Sequence, residues 1–346
     1  MHRRSYALAA LCVAILLAVP AVSATPPVRP IAERSFVRIG GIEQWITIRG
    51  ANRDNPVVLF LHGGPGDAWS PFADSLFRGW ERDFTLVQWD QRGAGRTYSR
   101  NSEASVAPTM TFERMVQDGI EIAVFLTKHL HKPKIVIVGG SWGTEVGIAM
   151  AHAQPDLFYA YVGEAQLVGW GKNVRASYDR VLQLARAAGD EQAVAGLTAI
   201  GPPPWDALPT WPKFRKWERA YQSKVATAPE PDVQRDADYG SDAEREQNAA
   251  ADDFSFLHFV GMTMSGPETH IDLPALGTEF RIPIFMIQGE QDLVAIPEVA
   301  RAYFDTIKAP RKEFYLVPGT GHEMSLASLA LLRRVLLEEI KPLTIH

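Results

Sequence analysis

The pentapeptide Gly-Gly-Ser-Trp-Gly at residues 139–143 constrains the fold of this chain more than any other stretch. It follows an apolar, β-branched run at residues 134–138 and precedes residues 144–151, whose composition is typical of a helix. A serine with glycine two positions before and two positions after it, between a strand and a helix, is the pattern of a nucleophile elbow. Glycine is needed there because the turn is so sharp that a Cβ would clash. We therefore expect Ser141 at the tip of this turn; a helix-capping serine in a glycine-rich loop is the alternative.

Apolar segments that suit strands alternate with segments of helical periodicity on both sides of the pentapeptide. Continuous apolar runs such as residues 57–61 are typical of strands buried on both faces. Strands are expected at residues 36–39, 44–48, 57–61, 84–89, 134–138, 158–162, 283–288 and 313–317, and helices at residues 111–131, 297–307 and 326–340. This alternation predicts an α/β fold with a doubly wound, mostly parallel sheet.

The alternation stops between about residues 167 and 280. Helical segments at residues 174–188 and 214–225 are separated there by clustered prolines. We predict a helical cap at residues 167–280, inserted between a first core part at residues 25–166 and a second at residues 281–346. Within the cap, residues 230–253 carry nine acidic residues against two arginines. We interpret that run as a solvated face.

The first 24 residues have the pattern of a secretory signal. A basic start at residues 1–4 leads into an apolar run at residues 7–19, and small residues end at Ala24. The apolar run is shorter than the ~20 residues that span a bilayer. We therefore predict cleavage after Ala24, a periplasmic or secreted protein, and no stable membrane insertion after cleavage.

Composition narrows the chemistry further. The single cysteine, Cys12, lies inside the signal, so we expect a mature chain without thiols or disulfides. Removal of Arg3 and Arg4 takes the formal net charge from −5 to −7, which argues against a nucleic-acid partner. The sequence contains no HExxH metal motif and no glycine-rich phosphate loop, so we expect no metal and no cofactor.

Polar, glycine-flanked loops follow several of the predicted strands. Ser141, Asp292 and His322 each lie in such a loop, and the carboxyl ends of parallel strands are where a doubly wound sheet places its chemistry. A serine hydroxyl needs a base to take its proton, and the resulting imidazolium needs an anion. The chain order serine, aspartate, histidine is that of α/β-hydrolases. We therefore predict a catalytic triad of Ser141, Asp292 and His322.

The tetrahedral intermediate of such a triad needs N–H donors for its oxyanion. One donor is expected from Trp142, the residue after the nucleophile, and another from the loop that follows residues 57–61. We choose the N–H of Gly64, and we expect Gly63 to let the backbone approach the substrate without a side chain between them. His62, which precedes this loop, is interpreted as a structural residue.

Three motifs together resemble the proline iminopeptidase (prolyl aminopeptidase) family of serine hydrolases. They are His-Gly-Gly-Pro-Gly at residues 62–66, Asp-Gln-Arg-Gly-Ala-Gly-Arg at residues 90–96, and Gly-Gly-Ser-Trp-Gly-Thr at residues 139–144. The resemblance is dense over residues 57–151, returns over residues 283–322 and is thin across the cap. It implies an α/β-hydrolase that cleaves an N-terminal residue, typically proline, from a peptide and holds the free ammonium with cap carboxylates.

The resemblance also implies roles for individual cap residues. Glu218, in a Trp-Glu pair like that of the family, is expected to bind the substrate ammonium. Asp252 or Asp253 stands near the position of the family's second cap glutamate. Two further carboxylates near the site, Glu145 and Glu164, are interpreted as structural, since Glu145 suits the first turn of a helix by its dipole.

Three functions are compatible with these residues. The first is an exported serine aminopeptidase that cleaves N-terminal residues, proline preferred, from small peptides through an acyl-enzyme. The second is a carboxylesterase or amidase acting on small acyl esters or amides, with an apolar cap pocket drawn from Trp170, Trp205, Trp211, Phe254, Phe256 and Phe259. The third, a non-catalytic binding protein, predicts a broken triad. An epoxide hydrolase or dehalogenase is disfavoured because those proteins have an aspartate where Ser141 stands.

Overall fold

Eight strands join in one sheet at the centre of the computed structural model, which describes residues 29–345; the predicted signal at residues 1–24 lies outside them. The strands are β1 Ile31–Ile39, β2 Ile42–Gly50, β3 Val57–Leu61, β4 Thr85–Trp89, β5 Ile135–Gly140, β6 Phe158–Glu164, β7 Ile284–Gly289 and β8 Lys312–Val317. Their order is β1-β2-β4-β3-β5-β6-β7-β8. β2 runs antiparallel to β1 and β4, and every other neighbouring pair is parallel. The doubly wound, mostly parallel sheet is therefore confirmed.

Helices cover both faces of the sheet. They are α1 Ala73–Leu76, α2 Gly95–Arg100, α3 Glu103–Val106, α4 Phe112–His129, α5 Trp142–Ala153, α6 Trp170–Ala187, α7 Glu191–Ile200, α8 Thr210–Val225, α9 Asp242–Val260, α10 Leu273–Leu276, α11 Pro297–Thr306 and α12 Leu326–Arg334. Side chains of β3 alternate between two cores: Leu59 packs with α4, α5 and α11, whereas Phe60 packs with α12 on the opposite face. Burial on both faces explains why the central strands are continuous apolar runs.

The first two strands of the chain are longer than the sequence pattern indicates. β1 and β2 pair in register from Ile31 opposite Gly50 to Ile39 opposite Ile42, whereas strands were expected only at residues 36–39 and 44–48. Polar residues on the exposed side of this hairpin, such as Arg34, interrupt the apolar pattern although the backbone ladder continues. The predicted closing helix also differs, because its α-helical part ends at Arg334 and a π turn, Val335–Ile340, continues it.

The segment between β6 and β7 contains helices α6 to α10, in the region for which a helical cap was predicted. Its helices α6, α7 and α8 share a small apolar core that includes Tyr178, Leu197 and Phe214. The cap boundaries at residues 167 and 280 stay a prediction. Across residues 29–345, no helix combines the length and the apolar character that crossing a membrane requires.

Candidate active site

Ser141 stands between β5 and α5 in a strained backbone conformation, with φ 49° and ψ −121°. Such positive φ values are uncommon for residues other than glycine and cluster at functional sites. A Cβ on Gly139 would lie 2.4 Å from the carbonyl oxygen of Gly143, and one on Gly143 would lie 2.1 Å from that of Leu61. Both flanking glycines are therefore required by close backbone approach, and the predicted sharp turn is confirmed.

The three residues predicted as a triad meet at the carboxyl edge of the sheet. Oγ of Ser141 lies 3.0 Å from Nε2 of His322. Nδ1 of His322 lies 3.0 Å from Oδ2 and 3.2 Å from Oδ1 of Asp292. Ser141 follows β5, Asp292 follows β7 and His322 follows β8, so three separate loops supply one hydrogen-bonded line.

The buried carboxylate of Asp292 is fixed by hydrogen bonds other than that of the histidine. Its Oδ1 accepts the N–H groups of Val294 and Ala295, both at 2.8 Å, and its Oδ2 accepts Nε2 of Gln288 at 3.1 Å. These donors hold the carboxyl group in the orientation that places it against His322.

The pKa of His322 results from two opposing effects. Burial disfavours the charged imidazolium, but the charge and hydrogen bond of Asp292 outweigh burial and raise the pKa of His322 to about 9. Nε2 is therefore mostly protonated at neutral pH in the free protein, and the histidine becomes a free base at alkaline pH.

The glycine loop after β3 runs directly beside Ser141. A Cβ on Gly63 would lie 3.3 Å from Cβ of Ser141, and Gly64 adopts a positive φ of 109°. Within residues 29–345, no hydrogen bond engages the peptide N–H of Gly64 or that of Trp142. Two free N–H groups next to a serine hydroxyl are what a developing oxyanion needs.

His62 has the structural role expected from the sequence. Its Nδ1 donates to the carbonyl of Gly63 at 2.8 Å, and its Nε2 accepts the N–H of Gln91 at 3.1 Å. Burial lowers the pKa of His62 to about 4, so the ring is neutral. The side chain of Gln91 also accepts the indole N–H of Trp142 at 2.9 Å. Gln91 thus links the glycine loop after β3 to the first residue of α5.

A cavity of about 780 Å³ opens at Ser141 between the sheet and the cap helices. Its aromatic wall consists of Trp69, Phe72, Trp170, Trp211, Phe214 and Phe256. Three aromatic residues expected in an apolar pocket lie elsewhere: Trp205 packs on Phe214, Phe254 on Tyr98 and Phe259 on Trp142. The sequence prediction missed Trp69 and Phe72, which come from the core loop before α1 rather than from the cap, and it also missed Phe214 of α8.

The same cavity is strongly acidic. Its wall carries eight carboxyl side chains, Asp67, Glu145, Glu164, Glu230, Asp252, Asp253, Glu268 and Glu323, against two arginines, Arg215 and Arg219. Burial raises the pKa of Glu164 to about 8 and that of Glu268 to about 8. Such a wall favours a cationic ligand over an anionic one.

The cap residues expected to hold an ammonium have different surroundings. Glu218 is buried, its Oε2 accepts a hydrogen bond from Nη1 of Arg215, and it is Arg215 that faces the cavity. Asp252 and Asp253, at the end of the acidic run, do face it. The interpretation of that run as a solvated face is therefore incomplete, although most of its side chains are exposed.

Helix α9 lies against the glycine loop after β3. A Cβ on Gly66 would lie 2.9 Å from Cα of Asp252, and the hydroxyl of Ser255 donates to the carbonyl of Gly93 at 2.8 Å.

The part of the chain that the structure describes contains no group of three or more histidine, cysteine, aspartate and glutamate residues suited to a metal ion.

Comparisons with known proteins agree with this geometry. A family model described as the alpha/beta hydrolase fold matches residues 56–327. The probable aminopeptidase YbaC of Bacillus subtilis is 26% identical over 309 residues, which are 86% of this chain and 92% of that protein. A proline iminopeptidase of Arabidopsis thaliana is 36% identical over 107 residues, 30% of this chain and 24% of that protein.

Solved structures show the same fold. The crystal structure of the proline iminopeptidase of Mycobacterium smegmatis superposes with a TM-score of 0.65 at 19% identity, covering 90% of this chain and 99% of that one. The resemblance to proline iminopeptidases that the sequence motifs indicate is thus confirmed.

Proposed function

The chain belongs to the alpha/beta hydrolase fold family, and from that premise we propose that it is an exported serine hydrolase. We propose that it cleaves N-terminal residues, proline preferred, from small peptides through an acyl-enzyme. The observation that carries this proposal is the hydrogen-bonded line Ser141–His322–Asp292, which ends in a cavity walled by carboxyl groups.

The geometry supports a two-step acyl transfer. Oγ of Ser141 attacks the scissile carbonyl carbon while its proton passes to Nε2 of His322, and Asp292 stabilises the imidazolium. The N–H groups of Gly64 and Trp142 hold the oxyanion, each worth about 3–4 kcal/mol of transition-state stabilisation. Collapse breaks the C–N bond, and the leaving amine takes the proton from Nε2. Water then repeats the sequence to release the acid and restore Ser141.

The acidic wall supports a substrate with a free amino group. An ammonium within hydrogen-bond reach of carboxylates gains about 1.5–3 kcal/mol. Asp252 and Asp253 line the cavity next to the oxyanion loop, and we assign them the α-ammonium of the substrate. Glu218 is already paired with Arg215, so in this proposal it acts by holding Arg215 in the cavity wall. Gly63 leaves room for the substrate backbone.

The preference for proline and the export of the protein have different support. Aromatic faces such as those of Trp211 and Phe256 suit the apolar pyrrolidine ring. Relatives of this chain are named proline iminopeptidases. Export rests on the signal pattern of residues 1–24.

The test compares three substrates: proline β-naphthylamide, its N-acetyl form and a short p-nitrophenyl ester. We expect the free-amine amide to be cleaved at least tenfold faster than the acetylated one, because capping the nitrogen leaves the carboxylates without a partner. The Ser141→Ala variant is expected to lose the activity and its labelling by a fluorophosphonate. Equal rates on both amides would contradict the aminopeptidase proposal, and labelling that persists in Ser141→Ala would remove Ser141 from the mechanism.

The aromatic wall favours a second candidate, a carboxylesterase or amidase for small acyl esters or amides. Six aromatic side chains can hold an acyl group without any ammonium. This function predicts turnover of the p-nitrophenyl ester alone, with no effect of a free amine on the rate.

A further inference from the structure

Two buried carboxyl groups of the cavity wall, those of Glu145 and Glu268, each have an oxygen without a hydrogen-bond partner in the described part of the chain. Glu145 is 1% exposed and Glu268 is 3% exposed, and both line the cavity. Within residues 29–345, Oε2 of Glu145 and Oε2 of Glu268 have no hydrogen-bond partner. Buried polar atoms in native proteins are nearly always paired, so unpaired ones that face a cavity indicate that something else completes them.

The pair is built by two separate elements. Glu145 belongs to the first turn of α5, four residues after Ser141, and Glu268 comes from the short 3₁₀ turn Pro267–His270 that follows α9. A third unpartnered atom faces the same cavity: Nδ2 of Asn173, a residue that is 3% exposed. Its Oδ1 is held by the N–H groups of Val168 and Gly169 at 3.0 and 3.3 Å, which fixes the amide.

The electrostatics of the pair favour a positive ligand. Burial, followed by the nearby charge of Glu268, raises the pKa of Glu145 well above its usual value, and burial raises that of Glu268. A buried carboxylate with no counter-ion is unfavourable in a water-poor site. A cationic group bound beside Glu145 and Glu268 supplies the counter-charge that both carboxyl groups lack.

Building on the proposed aminopeptidase function, we propose that Glu145 and Glu268 form a subsite for a cationic side chain, lysine or arginine, of the residue that is released. The α-carbons of Ser141 and Glu145 are one helical turn apart, about 6 Å. A lysine ammonium lies several bonds beyond the scissile carbonyl and reaches such a site, whereas the α-ammonium is only two bonds from that carbon. The α-ammonium is served by Asp252 and Asp253, on the side of the oxyanion loop.

The first experiment compares lysine β-naphthylamide with norleucine β-naphthylamide, which has the same number of side-chain carbons and no side-chain charge. We expect kcat/KM for the lysine substrate to exceed that for the norleucine substrate at least tenfold at pH 8. The Glu268→Gln variant keeps the shape and removes the charge, so the ratio should fall below about threefold. The control Glu191→Gln changes an exposed carboxylate of cap helix α7 that does not line the cavity, and it should keep the wild-type ratio.

A binding measurement separates this proposal from the peptidase function itself. Calorimetry with the Ser141→Ala protein should show lysinamide binding at least tenfold tighter than norleucinamide, and the additional change Glu268→Gln should abolish that difference. Cleavage of the proline and norleucine substrates without a lysine preference would overturn the subsite and leave the peptidase function in place. Tight lysinamide binding by a protein that hydrolyses only esters would support the subsite and overturn the peptidase function. Equal binding of the two amides, or an unchanged ratio in Glu268→Gln, overturns the subsite.

Discussion

At the scale of single residues, the chemistry depends on the proton at Nε2 of His322. With the pKa of His322 raised to about 9 by Asp292 against the effect of burial, only the unprotonated fraction can accept the serine proton. We expect kcat/KM to rise about tenfold per pH unit from pH 6 and to level off near pH 9. The measurement is a pH–rate profile on proline β-naphthylamide.

The Asp292→Asn variant is the matching control. Without the carboxylate charge, the pKa of His322 should fall, so the profile should level off at a lower pH. Its plateau should also be lower by about 10⁴-fold, because the imidazolium loses its partner. A wild-type rate that stays constant between pH 6 and pH 9 would contradict this role of His322.

The second prediction at this scale concerns the space next to the nucleophile. In Gly63→Ala, the new methyl group would lie 3.3 Å from Cβ and 3.9 Å from Oγ of Ser141, where the substrate carbonyl approaches. We expect kcat/KM to fall by about 10²-fold, because the methyl group would displace the substrate carbonyl from its position for attack, and a misplaced substrate or oxyanion donor costs about that much. The thermal midpoint should change little, which differential scanning calorimetry would show.

Gly171→Ala provides the comparison for that variant. Gly171 lies in α6, and a Cβ there has no heavy atom within 4 Å. Its activity should equal that of the wild type, because the added methyl group contacts no neighbouring side chain. The helix should also tolerate the change, since alanine is the better helix former. Full activity of Gly63→Ala would show that the loop does not approach the substrate.

Single residues also mark how far the sequence can predict the candidate site. The triad could be found because each member has a local signature, a glycine-flanked loop after a strand, and a fixed order along the chain. Glu145 and Glu268 have no such signature. They are 123 positions apart, as their numbers show, and only the packing of the cap on the sheet brings both to one cavity. Arg215, by contrast, stands three residues before Glu218 on α8, a spacing at which opposite charges on a helix pair, so this ion pair could have been predicted from the sequence.

At the scale of elements, a buried ion pair joins the loop after β4 to helix α4. Nε of Arg92 lies 2.7 Å from Oδ2 of Asp118, and the two side chains are 1% and 0% exposed. Arg92 also donates to the carbonyl of Gly40 and to Thr109, so one guanidinium holds three segments. We expect Asp118→Ala to lower the free energy of unfolding by about 3–5 kcal/mol, because an unpaired buried charge remains. Urea denaturation measures this.

An exposed ion pair serves as the comparison. Arg175 and Asp179 pair along α6, with both side chains more than half exposed. Asp179→Ala should cost less than about 1 kcal/mol, since solvent screens such pairs. A loss below about 1 kcal/mol in Asp118→Ala as well would mean that Arg92 is satisfied by its other partners.

The elements themselves differ in how well their sequence predicts them. β3 to β7 were found nearly to the residue because both faces are buried and the apolar run has clear ends. The hairpin β1–β2 was underestimated because backbone pairing, which has no sequence period, extends it beyond its apolar residues. The end of α12 was missed because the switch to a π turn leaves the amphipathic pattern almost unchanged.

At the scale of the whole molecule, buried acids and one histidine give stability an unusual pH dependence. Glu164 and Glu268 keep their protons up to a pKa of about 8 when folded, and release them near 4.5 when unfolded. His322 keeps its proton to about 9 when folded and to 6.5 when unfolded. Above pH 6.5 the folded state therefore binds more protons than the unfolded state, and the free energy of unfolding falls as pH rises.

Scanning calorimetry between pH 6.5 and pH 8 tests this expectation. Each retained proton contributes a slope of about 1.4 kcal/mol per pH unit. Glu268→Gln cannot ionise, so its slope should be smaller by about that amount. His62 acts in the opposite direction, but only below pH 6.5, because burial lowers its pKa to about 4. A thermal unfolding midpoint that rises from pH 6.5 to pH 8 would contradict the assignment of these protons to the folded state.

The fold class could be predicted as a whole because alternating strands and helices leave few ways to build a sheet. The arrangement of the cap could not. Its helices have weaker periodicity, and their positions depend on tertiary contacts such as the close approach of α9 to Gly66. The side chains that line the cavity can therefore be identified only from the three-dimensional structure.

That close approach also bears on how this enzyme can diverge. Helix α9 carries Asp252 and Asp253, to which we assign the substrate ammonium, and the same helix touches the loop whose peptide groups we propose to stabilise the reaction's developing negative charge. A mutation along it that redesigns selectivity will therefore disturb turnover as well. New preferences should arise first through helices such as α6, and α9 should change late, in step with compensating changes in the loop.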